Sequence, residues 1–143
     1  MIDGNYGSNN TGSGIYINNP YLSTDAFHTI RSILIITPRD DGIKIEGDTR
    51  GVNIINIQVK AGQRYGFDLG GSDHKLLDCD VSASLNDGFY NIHADTLLTQ
   101  CKAFYCGSGS GAGFTLTGRG FLVNCQAEDN YRDGIVLSGS TTA

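Results

Sequence analysis

The chain has 143 residues and a formal net charge of −5, with 39% hydrophobic and 17% charged residues. That length suits one domain. The few basic residues are scattered, so nothing is gathered to neutralise a phosphate backbone, and nucleic-acid binding is not expected. The longest strongly apolar run, Ile33-Leu34-Ile35-Ile36, is far too short to cross a bilayer, which excludes membrane insertion by a helix.

Glycine is abundant at 20 residues, proline is rare at 2, and tryptophan is absent. This balance favours many turns and short strands over amphipathic helices. The opening stretch MIDGNYGSNNTGSG lacks the charged start and apolar run of a signal peptide. The chain is therefore expected to leave the cytosol by another route or to be a piece of a longer chain. Residues 1–13 read as a loop or partial first coil. The sequon Asn9-Asn10-Thr11 reads as loop.

The first clear element is Gly14-Ile15-Tyr16-Ile17, and its pattern returns along the chain. After it come Ile30 to Ile35, then Gly42-Ile43-Lys44-Ile45, then Ile54-Ile55-Asn56-Ile57-Gln58-Val59. Gly66-Phe67-Asp68-Leu69 precedes Leu76-Leu77-Asp78-Cys79-Asp80-Val81, and a stretched copy, Gly88-Phe89-Tyr90-Asn91-Ile92, precedes Leu98 to Ala103. Gly113-Phe114-Thr115-Leu116, Leu122 to Ala127 and Gly134-Ile135-Val136-Leu137 complete the series. Steps between the glycines are 28, 24, 22, 25 and 21 residues.

Two motifs sharing one period predict a repeat architecture, because one such unit cannot bury its apolar side chains alone and stacked units can. No unit is long enough for a helix. The fold expected is all-β, a β-solenoid of about six coils of 21–28 residues over 14–139, with a polar tail at 140–143. Period 2 points Ile15, Ile43, Phe67, Phe89, Phe114 and Ile135 inward. Tyr16, Lys44, Asp68, Tyr90, Thr115 and Val136 point outward.

In the second motif Ile33, Ile57, Cys79, Cys101 and Cys125 form one inward column, where a thiol serves as a small hydrophobe. No C-x-x-C pair is present, and neither a metal nor a cofactor is expected. Cys106, in the turn CGSGSGAG, is expected as a free surface or half-buried thiol. The polar column Ser32, Asn56, Asp78, Gln100 and Asn124 marks a bend whose side chains are expected to bond backbone and each other along the stack. Asp41, Asp87 and Asp133 precede repeat glycines and read as turn residues. His28 and His74 read as solvated.

Coils with Gly-apolar-x-apolar and Asn-Cys-x-Ala motifs resemble the right-handed parallel β-helix proteins, a superfamily including pectate lyases, alginate epimerases and lyases, and phage tailspikes. Right-handedness is what this resemblance implies. Tyr65-Gly66-Phe67-Asp68 is similar to the start of the Tyr-Gly-Phe-Asp-Pro-His-Glu motif of mannuronan C5-epimerases. Lys44-Ile45-Glu46-Gly47 is similar to the segment carrying their catalytic lysine. Here Leu69-Gly70-Gly71 follows Asp68, so the motif's histidine and acid are missing. Glu46 to Val52, followed by Tyr65 to Asp73, resembles β-helix modules of phage or phage-tail-like fibres.

The candidate site is the outward column. Lys44, Asp68 and Tyr90 stack on consecutive coils, Tyr65 flanks them, and His93 lies just beyond. A cation, a carboxylate and phenols on a flat sheet suit a glycan, with Tyr16, Lys44, Asp68, Tyr90, His93 and Thr115 as contacts. Catalysis on a uronate glycan, by β-elimination or C5-epimerisation, needs a cation and a tuned base. Lys44, Tyr65, Asp68 and Tyr90 are the candidates for it. The plainer alternative is an exposed Lys44–Asp68 ion pair among ordinary sheet tyrosines, worth under about 1 kcal/mol.

The leading expectation is a spike or fibre module on a virion or phage-tail-like particle, or otherwise extracellular, that binds a cell-surface polysaccharide. The chain is expected to form a homotrimer or to be capped by other chains. A purely structural solenoid is the third reading.

Overall fold

A computed structural model describes residues 2–3, 12–18, 28–46, 49–92 and 95–138. The sequon, His93 and the tail at 140–143 lie outside them. Within the described residues are strands and turns and no helix. The glycine-centred segments become β2 (Ile15–Asn18), β4 (Ile43–Glu46), β6 (Phe67–Leu69), β9 (Phe89–Ile92), β12 (Phe114–Leu116) and β15 (Ile135–Leu137). They line up in that order in a six-stranded sheet, and its six rungs enclose about five turns. Each pairing is parallel.

The second motif builds the other sheet. Its strands are β1 (Ile2–Asp3), β3 (Thr29–Ile36), β5 (Asn53–Lys60), β7 (Lys75–Leu77), β8 (Asp80–Ser82), β10 (Thr96–Thr99), β11 (Lys102–Phe104), β13 (Gly120–Val123) and β14 (Gln126–Glu128). The first half of β5 pairs with β7 and its second half with β8. The bend that β3 and β5 absorb within one strand thus divides the strand in two from Asp78 onward. β1 pairs with β3 at Ile2↔Ile35 and Asp3↔Ile36, so the start of the chain contributes to a partial coil.

The core is a set of axial columns. Phe67, Phe89 and Phe114 are fully buried, with ring centroids 4.8 and 4.9 Å apart and planes within 9° and 2° of parallel. That spacing is the distance between neighbouring strands, so each ring sits on the one below without sliding. Ile57, Cys79 and Cys101 are also fully buried, Cys125 is half-buried, and all four cysteines are free thiols. Ile135 (52% exposed) occupies an inward position of the last rung, with no following rung among the described residues to cover it.

The polar bend column has a backbone cause. Ser32, Asn56, Asp78, Gln100 and Asn124 all sit at positive φ, from 52° to 58°, and their side chains are exposed rather than laddered. Asn, Asp and Ser tolerate this left-handed geometry better than most residues. Five residues on, a second left-handed column runs Thr37, Ala61, Ala83, Tyr105 and Asp129. Nothing in those residue types announces it. Asn91, at φ 62°, is the extra residue of the stretched copy and forms a bulge between β9 and β12.

Two expectations are corrected. Cys106 is fully buried. It follows the left-handed Tyr105 and stacks at a corner with Ser84, and the turn reaches the surface only at Ser108, Gly109 and Ser110. His74 is also fully buried: its Nδ1 accepts from Val52 N at 3.3 Å and its Nε2 donates to Gly70 O at 2.7 Å. The turn before β7 folds under itself, and the imidazole replaces the backbone partners lost there.

The repeat glycines are held by close approach. A Cβ on Gly66 would lie 2.3 Å from a Val81 methyl and 2.6 Å from Gly88 O, whereas one on Gly12 would meet nothing within 4 Å. Gly66→Ala is expected to cost about 2 kcal/mol or more, typical of overpacking, and Gly12→Ala almost nothing. Urea denaturation followed by circular dichroism measures both; equal midpoints would contradict this packing.

Candidate functional site

The outer face of the six-stranded sheet carries the expected column in register: Tyr16↔Lys44, Lys44↔Asp68 and Asp68↔Tyr90. Thr115 continues it in β12, across the bulge, and is buried. The ion pairs, however, are not the expected ones. Lys44 pairs with Glu46, two residues along its own strand, and Glu46 also accepts from the Tyr16 hydroxyl at 2.5 Å. Asp68 pairs with Arg64 at 3.2 Å. Lys44 and Asp68 are neighbours across the sheet but not partners.

Arg64 organises the site. Its guanidinium grips the fully buried carboxylate of Asp41 through two nitrogens, with Nε at 2.8 Å from Oδ1. It also lies 3.1 Å from Asp40 Oδ1. Asp41 accepts a further hydrogen bond from Tyr65 N at 3.1 Å, so the turn expectation for Asp41 becomes a brace to the next coil. A planar fork that satisfies a buried carboxylate is arginine chemistry that lysine would not reproduce. Stacking the residues before successive glycines, Asp40-Asp41 under Arg64-Tyr65, exposes this opposite-charge match. Attention to the outward column alone misses it.

The guanidinium also covers the Tyr65 ring, 4.9 Å from its centroid. Tyr65 in turn stacks on Tyr90 at 4.3 Å with planes 7° apart. Guanidinium, phenol and phenol thus form three layers along the axis, a cation–π contact followed by a π stack.

Burial, reinforced by the Asp41 carboxylate, pushes the Asp68 carboxyl up to about 6 against the pull of Arg64 and Lys44. Burial, then Tyr90 and Asp87, pushes the Tyr65 hydroxyl up to about 12. Lys44 is raised chiefly by its hydrogen bond to Glu46. Four carboxylates (Asp40, Asp41, Glu46, Asp68) surround two cations, each of which is already engaged. No group of three or more metal-ligating side chains occurs among the described residues.

Because the folded chain holds the Asp68 proton more tightly than the unfolded chain, the stability from neutral Asp68 is present below about pH 4. It is lost as pH rises through about 6. Asp68→Asn, which mimics the protonated form, should gain on the native chain by up to about 3 kcal/mol between pH 4 and pH 7. Denaturant melts across that range measure the difference. A constant gap would mean the carboxyl titrates normally.

Residues 41–143 match a family model described as a right handed beta helix region. No curated protein and no solved structure matches the chain. The match covers every coil from Asp41 onward, agrees with the parallel stacking, and supplies the handedness that the resemblance implies: the chain belongs to the right-handed β-helix family.

Proposed function

We propose that this protein is a spike or fibre module of a phage or phage-tail-like particle, and that it binds a cell-surface polysaccharide along the outer face of the six-stranded sheet. The observation that carries the reading is the Arg64–Tyr65–Tyr90 stack, set among carboxylates on an otherwise flat sheet. The edges of the stacked rings offer sugar contacts and the carboxylates accept sugar hydroxyls. Rungs one strand spacing apart repeat these contacts along the axis.

The electrostatics narrow the glycan. A face whose carboxylates outnumber its cations repels a polyuronate and accepts a neutral or basic glycan. The reading as a uronate lyase or epimerase rests on Asp68, a carboxyl raised towards the range of a general base. Against it, Arg64 and Lys44 are occupied by Asp41 and Glu46, and Tyr65 holds its proton tightly.

A glycan array with the native chain and Tyr90→Ala tests the binding reading. Loss of one stacking ring is expected to weaken a bound neutral or basic glycan about tenfold, equivalent to 1.4 kcal/mol. Formation of unsaturated uronate, absorbing in the ultraviolet and lost in Lys44→Ala, would instead establish the enzyme. An intact fold with no glycan bound would leave the structural solenoid.

Self-association is supported by a second surface. On the outside of the nine-stranded sheet two neighbouring columns, Ile55–Leu77–Thr99–Val123 and Lys75–Leu97–Phe121, form a largely apolar stripe, with Leu77 37%, Phe121 53% and Val123 45% exposed. Contiguous apolar patches of this kind mark association surfaces. Light scattering on a size-exclusion column is expected to give a homo-oligomer, a trimer on the tailspike likeness, that dissociates in Phe121→Glu. A monomer at high concentration would overturn it.

A further inference from the structure

Two coils beyond Asp41, Asp87 repeats its role. It is 7% exposed and its Oδ1 accepts the backbone N–H of Ala112 in the next coil, as Asp41 accepts that of Tyr65. The two sites differ in one respect. Asp41 is neutralised by Arg64, the residue before Tyr65, whereas the residue before Ala112 is Gly111. The backbone at Gly111 presses so closely on Asp87, with a Cβ position 2.3 Å from Asp87 N, that no side chain fits there. Where the guanidinium stands in one coil, the other has a hollow of about 310 Å³, lined by Asp87, Gly111, Thr115, Arg132 and Asp133.

We propose that this hollow is a subsite for an ammonium-bearing sugar, an amino-sugar unit whose nitrogen takes the place beside Asp87 that Arg64 takes beside Asp41. The proposal rests on the glycan reading above and specifies its chemistry. Thr115 lines the hollow with Asp87 and lies on the same outward column as Tyr90, so a chain crossing the aromatic stack reaches the hollow on the adjacent rung. The volume lies at the small end of ligand pockets and suits one ring. A buried carboxylate that accepts a backbone amide and pairs with no cation among the described residues keeps an unneutralised charge, and burial raises its carboxyl accordingly. A cation bound there meets a charge the fold has already desolvated. Asp133 adds a second carboxylate at the rim; exposed Arg132 opposes with one positive charge.

The test titrates the protein with glucosamine oligosaccharides, their N-acetylated counterparts and glucose oligosaccharides, followed by calorimetry and by amide shifts in 15N NMR spectra. Free-amine oligomers are expected to bind at least about tenfold more tightly than acetylated ones and to shift the Ala112 and Gly113 amides. Asp87→Asn, which keeps the acceptor for Ala112 N but removes the charge, is expected to abolish that preference, and Arg132→Ala to strengthen it. Equal binding of acetylated and free-amine oligomers to the native chain would overturn the subsite while leaving glycan binding intact. No binding of any glycan would overturn both. The ligand comparison needs no variant, so it stands even if Asp87→Asn fails to fold.

Discussion

Everything in this molecule depends on how closely one coil approaches the next at the repeat glycines. At Gly42 and Gly66 the position a side chain would take is filled by a valine methyl from the opposite sheet and by the next glycine's carbonyl. That carbonyl accepts the N–H of the residue after the glycine, as in Ile43 N to Gly66 O at 3.0 Å and Phe67 N to Gly88 O at 2.9 Å. The glycine is where the wall of the tube and its floor meet. The same contact keeps each coil in register with its neighbours, so like residues stack and the phenylalanine and cysteine columns follow.

Register also creates the outer face. Tyr65 and Tyr90 meet on a diagonal between adjacent coils, since register sets Tyr90 beside Asp68, and Arg64 reaches diagonally to Asp41 of the coil before it. The carboxylates of Asp41 and Asp87 are not catalytic ornaments on a finished scaffold: each ties the turn of the next coil by accepting its amide. Asp41 has its countercharge in the chain and Asp87 borders a hollow. One structural device, used twice, thus gives a sealed joint in one place and a receptive one in another.

Much of this was legible in the residues. Period-two alternation marked the inward and outward columns, and the paired motifs marked the solenoid, because burial on one side of a strand leaves a direct trace in composition. Legibility ended where position was set by the backbone. Tyr105 and Ala83 sit in left-handed geometry that their residue types disfavour, so neither the second bend nor the inward turn of Cys106 could be read from them. His74 looked solvated because its partners, Val52 N and Gly70 O, are main-chain groups with no signature of their own. Arg64 escapes the pattern for another reason: it precedes the column that alternation defines, and its partner Asp41 belongs to the coil beneath.

The hydrogen bonds between coils all run along the axis of the tube, since each strand pairs in parallel with the strands above and below. A pull along that axis loads them a rung at a time, and the rungs part in sequence like a zip. A push along the axis instead presses ring onto ring and methyl onto methyl, against close-packed contacts that scarcely compress. Mechanically the fold is a strut and not a rope: it resists thrust along its axis and is peeled apart, coil by coil, when drawn out.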